Sequence, residues 1–115
     1  MLNRAALIPK YKEPFVRWIN EADPYKHEDT PKMTLEEVNQ ERTVYLITED
    51  EADHLEEWLN LNYRQLLESE LEGWYTDEAL WPEKRDRELF DQWMTVECHA
   101  TIIDTVGEDL FDEEI

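Results

Sequence analysis

Glycine, serine and cysteine are nearly missing from this chain: two glycines (Gly73 and Gly107), one serine (Ser69) and one cysteine (Cys98) in 115 residues. Each shortage removes a class of chemistry. Phosphate-cradling loops need glycine for close backbone approach, and neither a dinucleotide fingerprint nor a P-loop is present. The lone serine falls inside a helical pattern and expected to be buried there, so no nucleophile elbow forms around it. A lone thiol has no intramolecular disulfide partner, which favours a reducing compartment. On the inward face of a strand, where Cys98 is expected, a thiol is normally inert. No stretch approaches the roughly 20 apolar residues of a membrane span, and the apolar run in "MLNRAALIPK" is too short for an export signal. The expectation is a cytoplasmic protein without a membrane partner.

Positive charge is the other scarcity. Eleven Lys and Arg stand against thirty Asp and Glu, giving a net charge of −19 and a pI near 4.3. Phosphate recognition needs clustered Lys and Arg, so direct binding to DNA, RNA or an anionic membrane is excluded. A basic protein partner, divalent cations, or a surface that normally holds nucleic acid remain compatible with this charge. Plain solubility, including that of a protein from a high-salt host, accounts for it equally well.

What is present suffices for one core. Hydrophobic residues make up 41% and aromatics 11%, above a disordered composition. "LNRAALIP" reads as a first strand closed by Pro9. "EPFVRWINEAD" reads as a helix with Pro14 in its first turn and Phe15, Trp18, Ile19 and Ala22 on one stripe. Thr34 with Glu37 forms a capping box before a short helix, and "RTVYLIT" reads as a second strand. Thr48 with Glu51 forms a second box, opening a long helix that runs to Gly73. Leu55, Trp58, Leu59, Asn62, Leu66 and Glu70 trace one line along it. Asp86 caps a further helix with Leu89, Phe90 and Trp93 inward. In the last strand, "TVECHATIID", alternation sets Val96, Cys98, Ala100 and Ile102 against Glu97, His99, Thr101 and Ile103.

The expected fold is therefore α/β or α+β, with a small three-stranded sheet and about four helices in the order β-α-α-β-α-α-β. Strands joined by helical crossovers usually lie parallel, and the polar side of the last strand implies a partly open sheet face. Residues 1–107 form the domain and 108–115 an acidic tail.

Four places could carry function. In "GWYTDEALWP", Gly73 is expected just past the helix end with positive φ. Trp74, Asp77, Glu78 and Trp81 are then either a lid on the core or a recognition surface, tryptophan being common at binding hot spots. Glu97, His99 and Thr101 share a strand face, with Asp104 beyond. A histidine beside carboxylates can act as an acid or base, although no nucleophile or second histidine is placed near it. Glu51 and His54 have the Glu-x-x-His spacing of carboxylate-bridged di-metal bundles, with Glu57 a turn on. Those sites need two copies, so no metal or cofactor is expected. "YKHEDT", with His27, Glu28 and Asp29, reads as loop. The tail "GEDLFDEEI" interleaves Leu110, Phe111 and Ile115 with Glu108, Asp109, Asp112, Glu113 and Glu114. It is either a docking segment for a basic groove or a solvated terminus.

The run "ELEGWYTDEALWPEKRDRELFDQWMTVECHATIID", with "WINEADP" and "RTVYLI", resembles a group of small acidic bacterial proteins of unknown function. The resemblance covers most of the chain and implies a bacterial origin, but brings no activity with it. The element order and acidity are also similar to those of barstar, an inhibitor that covers a basic ribonuclease with acidic residues. Fold-level likeness of this kind is a weak guide to function. The leading expectation is a non-catalytic module that binds a basic protein through its acidic surface, Trp74–Trp81 connector and tail. The alternatives are a small enzyme or ligand-binding domain using His99 and Glu97, and a homodimer that buries the open sheet face through Tyr45 and Ile103.

Overall fold

The computed structural model describes residues 1–112. Glu113, Glu114 and Ile115 of the tail lie outside the described residues. The fold is mixed α+β: strands β1 (Arg4–Tyr11), β2 (Tyr45–Thr48) and β3 (Met94–His99), and helices α1 (Glu13–Ala22), α2 (Leu35–Val38), α3 (Glu49–Asp53), α4 (Leu55–Trp74) and α5 (Arg87–Trp93). A 3-10 turn at Glu78–Leu80 lies between α4 and α5. The sheet order is β2-β1-β3, with β1 antiparallel to both neighbours.

Antiparallel pairing corrects the expectation of parallel strands. One helical leg returns the chain to the start of the strand it left. Two legs bring it back to the end, where an antiparallel neighbour must begin. The connection from β1 to β2 carries two legs, α1 and α2, whereas the connection from β2 to β3 runs from the Arg4 end of β1 to its Tyr11 end, so β2 and β3 run parallel to each other with β1 between them. After α2, the side chain of Asn39 brackets the backbone of Tyr11, accepting from its N–H at 2.9 Å and donating to its carbonyl at 3.1 Å. After α5, the carbonyl of Trp93 accepts from the Lys12 N–H at 2.8 Å. β3 thus starts beside Tyr11 at the end of β1, and β2 starts opposite Leu7; both then run toward Arg4.

The same bracket explains Pro9, which sits inside β1 instead of closing it. Residues two apart in a strand point their N–H groups to one side. Tyr11 points its N–H toward Asn39, so Pro9 would point toward the same edge. The β2 pairing has already ended there, at Leu7↔Tyr45, and no ladder bond is lost.

The helices cover one sheet face. Leu7 on β1, Phe15, Val16 and Ile19 on α1, Leu59, Leu66, Leu67 and Leu71 on α4, and Phe90 on α5 form the buried core, with Met94 at the start of β3. Val96 and Cys98 pack against it as the alternation predicts, and burial pushes the Cys98 thiol's pKa up. The opposite face stays partly open: Leu46, Thr95 and His99 are exposed on it. β3 ends at His99, so Ala100 to Ile103 lie beyond the strand, although the Ile102 carbonyl still accepts from the Leu2 N–H.

The capping residues sit where the sequence puts them. Thr34 and Thr48 each close a capping box, with Glu37 and Glu51, and Asp86 accepts from the Leu89 N–H at 2.9 Å. The long helix, however, is two helices. It breaks at His54, which leaves helical geometry at φ −122°, ψ 46°. α3 has no buried side chain, so no packing holds it in line with α4.

Gly73 is also displaced from its expected role. It lies within α4, neither glycine has positive φ, and Tyr75 is the capping residue. A Cβ at Gly73 would meet nothing within 4 Å. Gly73→Ala therefore stabilises the protein by about 0.5–1 kcal/mol, the helix-propensity difference. Urea unfolding of the two proteins measures it; an unchanged or lowered midpoint contradicts this account.

Candidate functional site: a buried carboxylate between two tyrosines

The stripe that gives α4 its inward face contains one acid. Glu70 follows Leu66 by four residues and stays in register with it, so its side chain is carried into the core, where it is only 6% exposed. Leaving such a group without partners would cost several kcal/mol. Two tyrosines supply them. Tyr11, at the end of β1, donates to Oε1 at 2.8 Å. Tyr45, at the start of β2, donates to Oε2. The arrangement extends outward on both sides. The Trp74 indole N–H donates to the Tyr11 hydroxyl at 3.0 Å, and the Ser69 hydroxyl lies 2.9 Å from that of Tyr45. With each phenol proton committed to Glu70, Ser69 is the donor in its contact.

The electrostatics follow from burial. Desolvation first, and the Glu70 charge second, push the Tyr11 phenol well above its ordinary value of 10. Tyr45 is raised too, by desolvation and then by its bond to Glu70. Both phenols are thus fixed as donors. No lysine or arginine forms an ion pair with Glu70 among the described residues.

This cluster forms the wall of a groove of about 280 Å³, bordered by Glu41, Tyr45, Ser69, Glu70, Gly73 and Trp74. A larger groove of about 690 Å³ runs between α1 and the loop after it. Its walls carry both signs, with Glu13, Glu21 and Asp23 against Arg17, Lys26 and Lys32, and so have no strong preference for either. Asn20 shapes it by bracketing the backbone of Met33, at 2.8 and 2.9 Å.

Of the candidate binding residues singled out from sequence, only Trp74 belongs to this site. Trp81 is 8% exposed and belongs to the core, its indole N–H donating to the Tyr75 carbonyl at 2.7 Å. Trp74 is half-buried and serves the Glu70 cluster. Asp77 is exposed and caps the 3-10 turn through the Ala79 N–H; Glu78, beside it, is exposed. The connector "GWYTDEALWP" is therefore largely a lid, also tied down by the Trp18 indole donating to the Leu80 carbonyl at 2.9 Å.

Glu97 and His99 share the outward face of β3, 3.4 Å apart. Arg42 binds Glu97 at 3.0 Å and, with His99, lowers its pKa. The His99 side chain is 59% exposed, and neither residue borders the grooves described above. His54 is exposed, and the Asp50 carbonyl and then the Asp50 carboxylate raise its pKa above 6.5. Among the described residues no three His, Cys, Asp or Glu side chains converge as a metal ion requires. Leu110 and Phe111 are 67% and 73% exposed and belong to no helix or strand.

Two sequence expectations need correction here. Ser69 is exposed, not buried. Tyr45 faces the helices, so it is not part of an open-face contact; Ile103 is exposed. The Tyr11–Glu70–Tyr45 cluster was not anticipated as a site. Its signal was an acid in the apolar stripe of α4, together with tyrosines near the ends of two strands.

No protein-family description, curated protein or solved structure matches the chain. The likeness to barstar accordingly rests on element order alone.

Tyr45→Phe removes one donor to a buried charge at the groove wall, where water can partly replace it, and costs about 1 kcal/mol. Tyr11→Phe also strands the Trp74 N–H and costs about 2–3 kcal/mol. Chemical denaturation of both variants checks the order, and equal losses would contradict it. A phenol whose pKa is raised on folding stabilises the fold below its unfolded value of 10 and loses that contribution as pH rises through the folded value. Stability therefore falls above pH 10, and phenolate absorbance shows Tyr11 and Tyr45 ionising above the ordinary phenol value of 10.

Proposed function

We propose that this is a non-catalytic, cytoplasmic interaction module that binds a basic protein. The observation that carries the reading is the charge of −19 and its distribution over the folded surface. Each of the five helices has an acid in its first turn, and none has a basic residue in its last. Acids at helix N-termini are locally favourable, but the negative helix C-termini stay uncompensated and add to the surface potential. The segment from Glu49 to Glu57 adds six acids on an exposed stretch, of which Glu56 is paired with Arg87. Such a field speeds encounter with a cationic surface more than it holds one.

Among the described residues no helix is long and apolar enough to cross a membrane. The rival reading, an enzyme built on His99 and Glu97, is less well supported, because that pair stands on an open strand face and Glu97 is engaged by Arg42.

The test is a pull-down at low salt, followed by pairwise binding of each basic protein recovered. The expected result is an affinity that falls at least tenfold between about 50 and 300 mM salt, through the association rate, as screening shortens the reach of the charges. An affinity indifferent to salt would overturn the proposal, as would the absence of any basic protein that binds in purified form.

A further inference from the structure

The groove beside Glu70 has features that an acidic surface alone does not explain. Its wall holds a carboxylate that is buried and bonded only by uncharged donors, through one phenol on each oxygen. A carboxylate oxygen accepts more than one hydrogen bond, so acceptor capacity remains after both phenols are counted. Buried carboxylates are normally offset by a cation, and none is supplied by the described part of the chain. The groove also lies at the last turn of the 20-residue α4, the negative end of its dipole, and Glu41 lines it as well. Its remaining border includes the Trp74 ring, whose face favours a cation, and Gly73, whose missing side chain leaves the space open.

We propose that this groove receives a single lysine or arginine side chain from the basic partner, its ammonium or guanidinium group set against Glu70 and Glu41. Tyr11 and Tyr45 hold the carboxylate in place. Trp74 covers the aliphatic stem, which a volume of about 280 Å³ accommodates along with the head group. The inference rests on the interaction reading above, since it names the contact by which that partner is anchored.

The test uses the full chain and four probes: short capped peptides with one central lysine, arginine, acetyl-lysine or norleucine. The readout is the NMR signal of the Trp74 indole N–H, which reports on the Tyr11 hydroxyl it binds. The lysine and arginine peptides are expected to shift it saturably, and the two uncharged peptides to leave it in place. Glu70→Gln should weaken lysine binding at least tenfold. Because that variant disturbs a buried group, Gly73→Leu is the second: it fills the groove from a position with open space and leaves the Glu70 bonds intact. It should also weaken binding at least tenfold.

Equal shifts from lysine and acetyl-lysine would overturn the proposal. So would lysine binding that is unchanged in Gly73→Leu, or the absence of a saturable shift from either charged peptide. A salt-sensitive partner whose affinity survives Gly73→Leu would overturn the groove assignment while leaving the interaction reading standing. A groove that binds both charged peptides in a protein with no basic partner would overturn the interaction reading and the partner assigned to the groove with it.

Discussion

The Glu70 carboxylate is the point at which the separate parts of this fold are joined. Through Tyr11 it holds the central strand and through Tyr45 an edge strand, while its own backbone belongs to α4. Trp74 extends the network into the connector. Hydrogen bonds of this kind contribute little net stability when complete and cost a great deal when broken. An apolar side chain in the same place would serve the core equally well or better. What the carboxylate adds is direction, since a hydrophobic contact tolerates sliding and two phenols aimed at two oxygens do not.

Around this point the aromatic residues provide mass. Tyr11 stacks on Phe15 at 4.0 Å, and Phe15 meets Trp18 and Trp93 edge-on at 5.5 and 5.4 Å. Trp18 in turn meets Tyr75 at 5.3 Å. These contacts connect the end of β1, α1, α5 and the connector at one end of the sheet. The same end is where Asn39 and Trp93 return the chain to begin β2 and β3. The topology and the aromatic cluster are thus two descriptions of one region, and the sheet is antiparallel because both connections end there.

Local features of the fold were legible in the sequence and long-range ones were not. The capping boxes at Thr34 and Thr48 and the cap at Asp86 involve residues three apart, so spacing alone identifies them. The inward set Val96 and Cys98 follows from strand alternation in the same way. Asn39 bonding Tyr11 spans 28 residues and Glu70 bonding Tyr11 spans 59, and no local pattern encodes either. Strand direction failed for that reason, because it depends on where Asn39 lands. Gly73 was read by its usual role at helix ends, but the helix continues through it. The site was half visible: Glu70 stood in the apolar stripe of α4, and its phenol partners could not be chosen from five tyrosines.

Acidity and stability are opposed in this molecule, and that opposition bears on what the acidity is for. A net charge of −19 repels itself, and the repulsion is strongest in the compact state. Helix N-termini relieve a few acids, and Arg87 relieves Glu56 and Asp91, but among the described residues most acids have no cation beside them. Solubility in a small domain is ordinarily met with a net charge of magnitude about 2–8, and the excess here is what the proposed partner would draw on. A basic partner of the kind proposed would relieve that repulsion directly, by binding the folded form, screening the surface acids and raising the apparent stability by mass action. In the proposed reading, the charge that weakens the free protein is the source of its coupling to a cationic surface. The proposed contact at Glu70 would apply the same logic inside the fold, with an acid whose cation comes from another molecule.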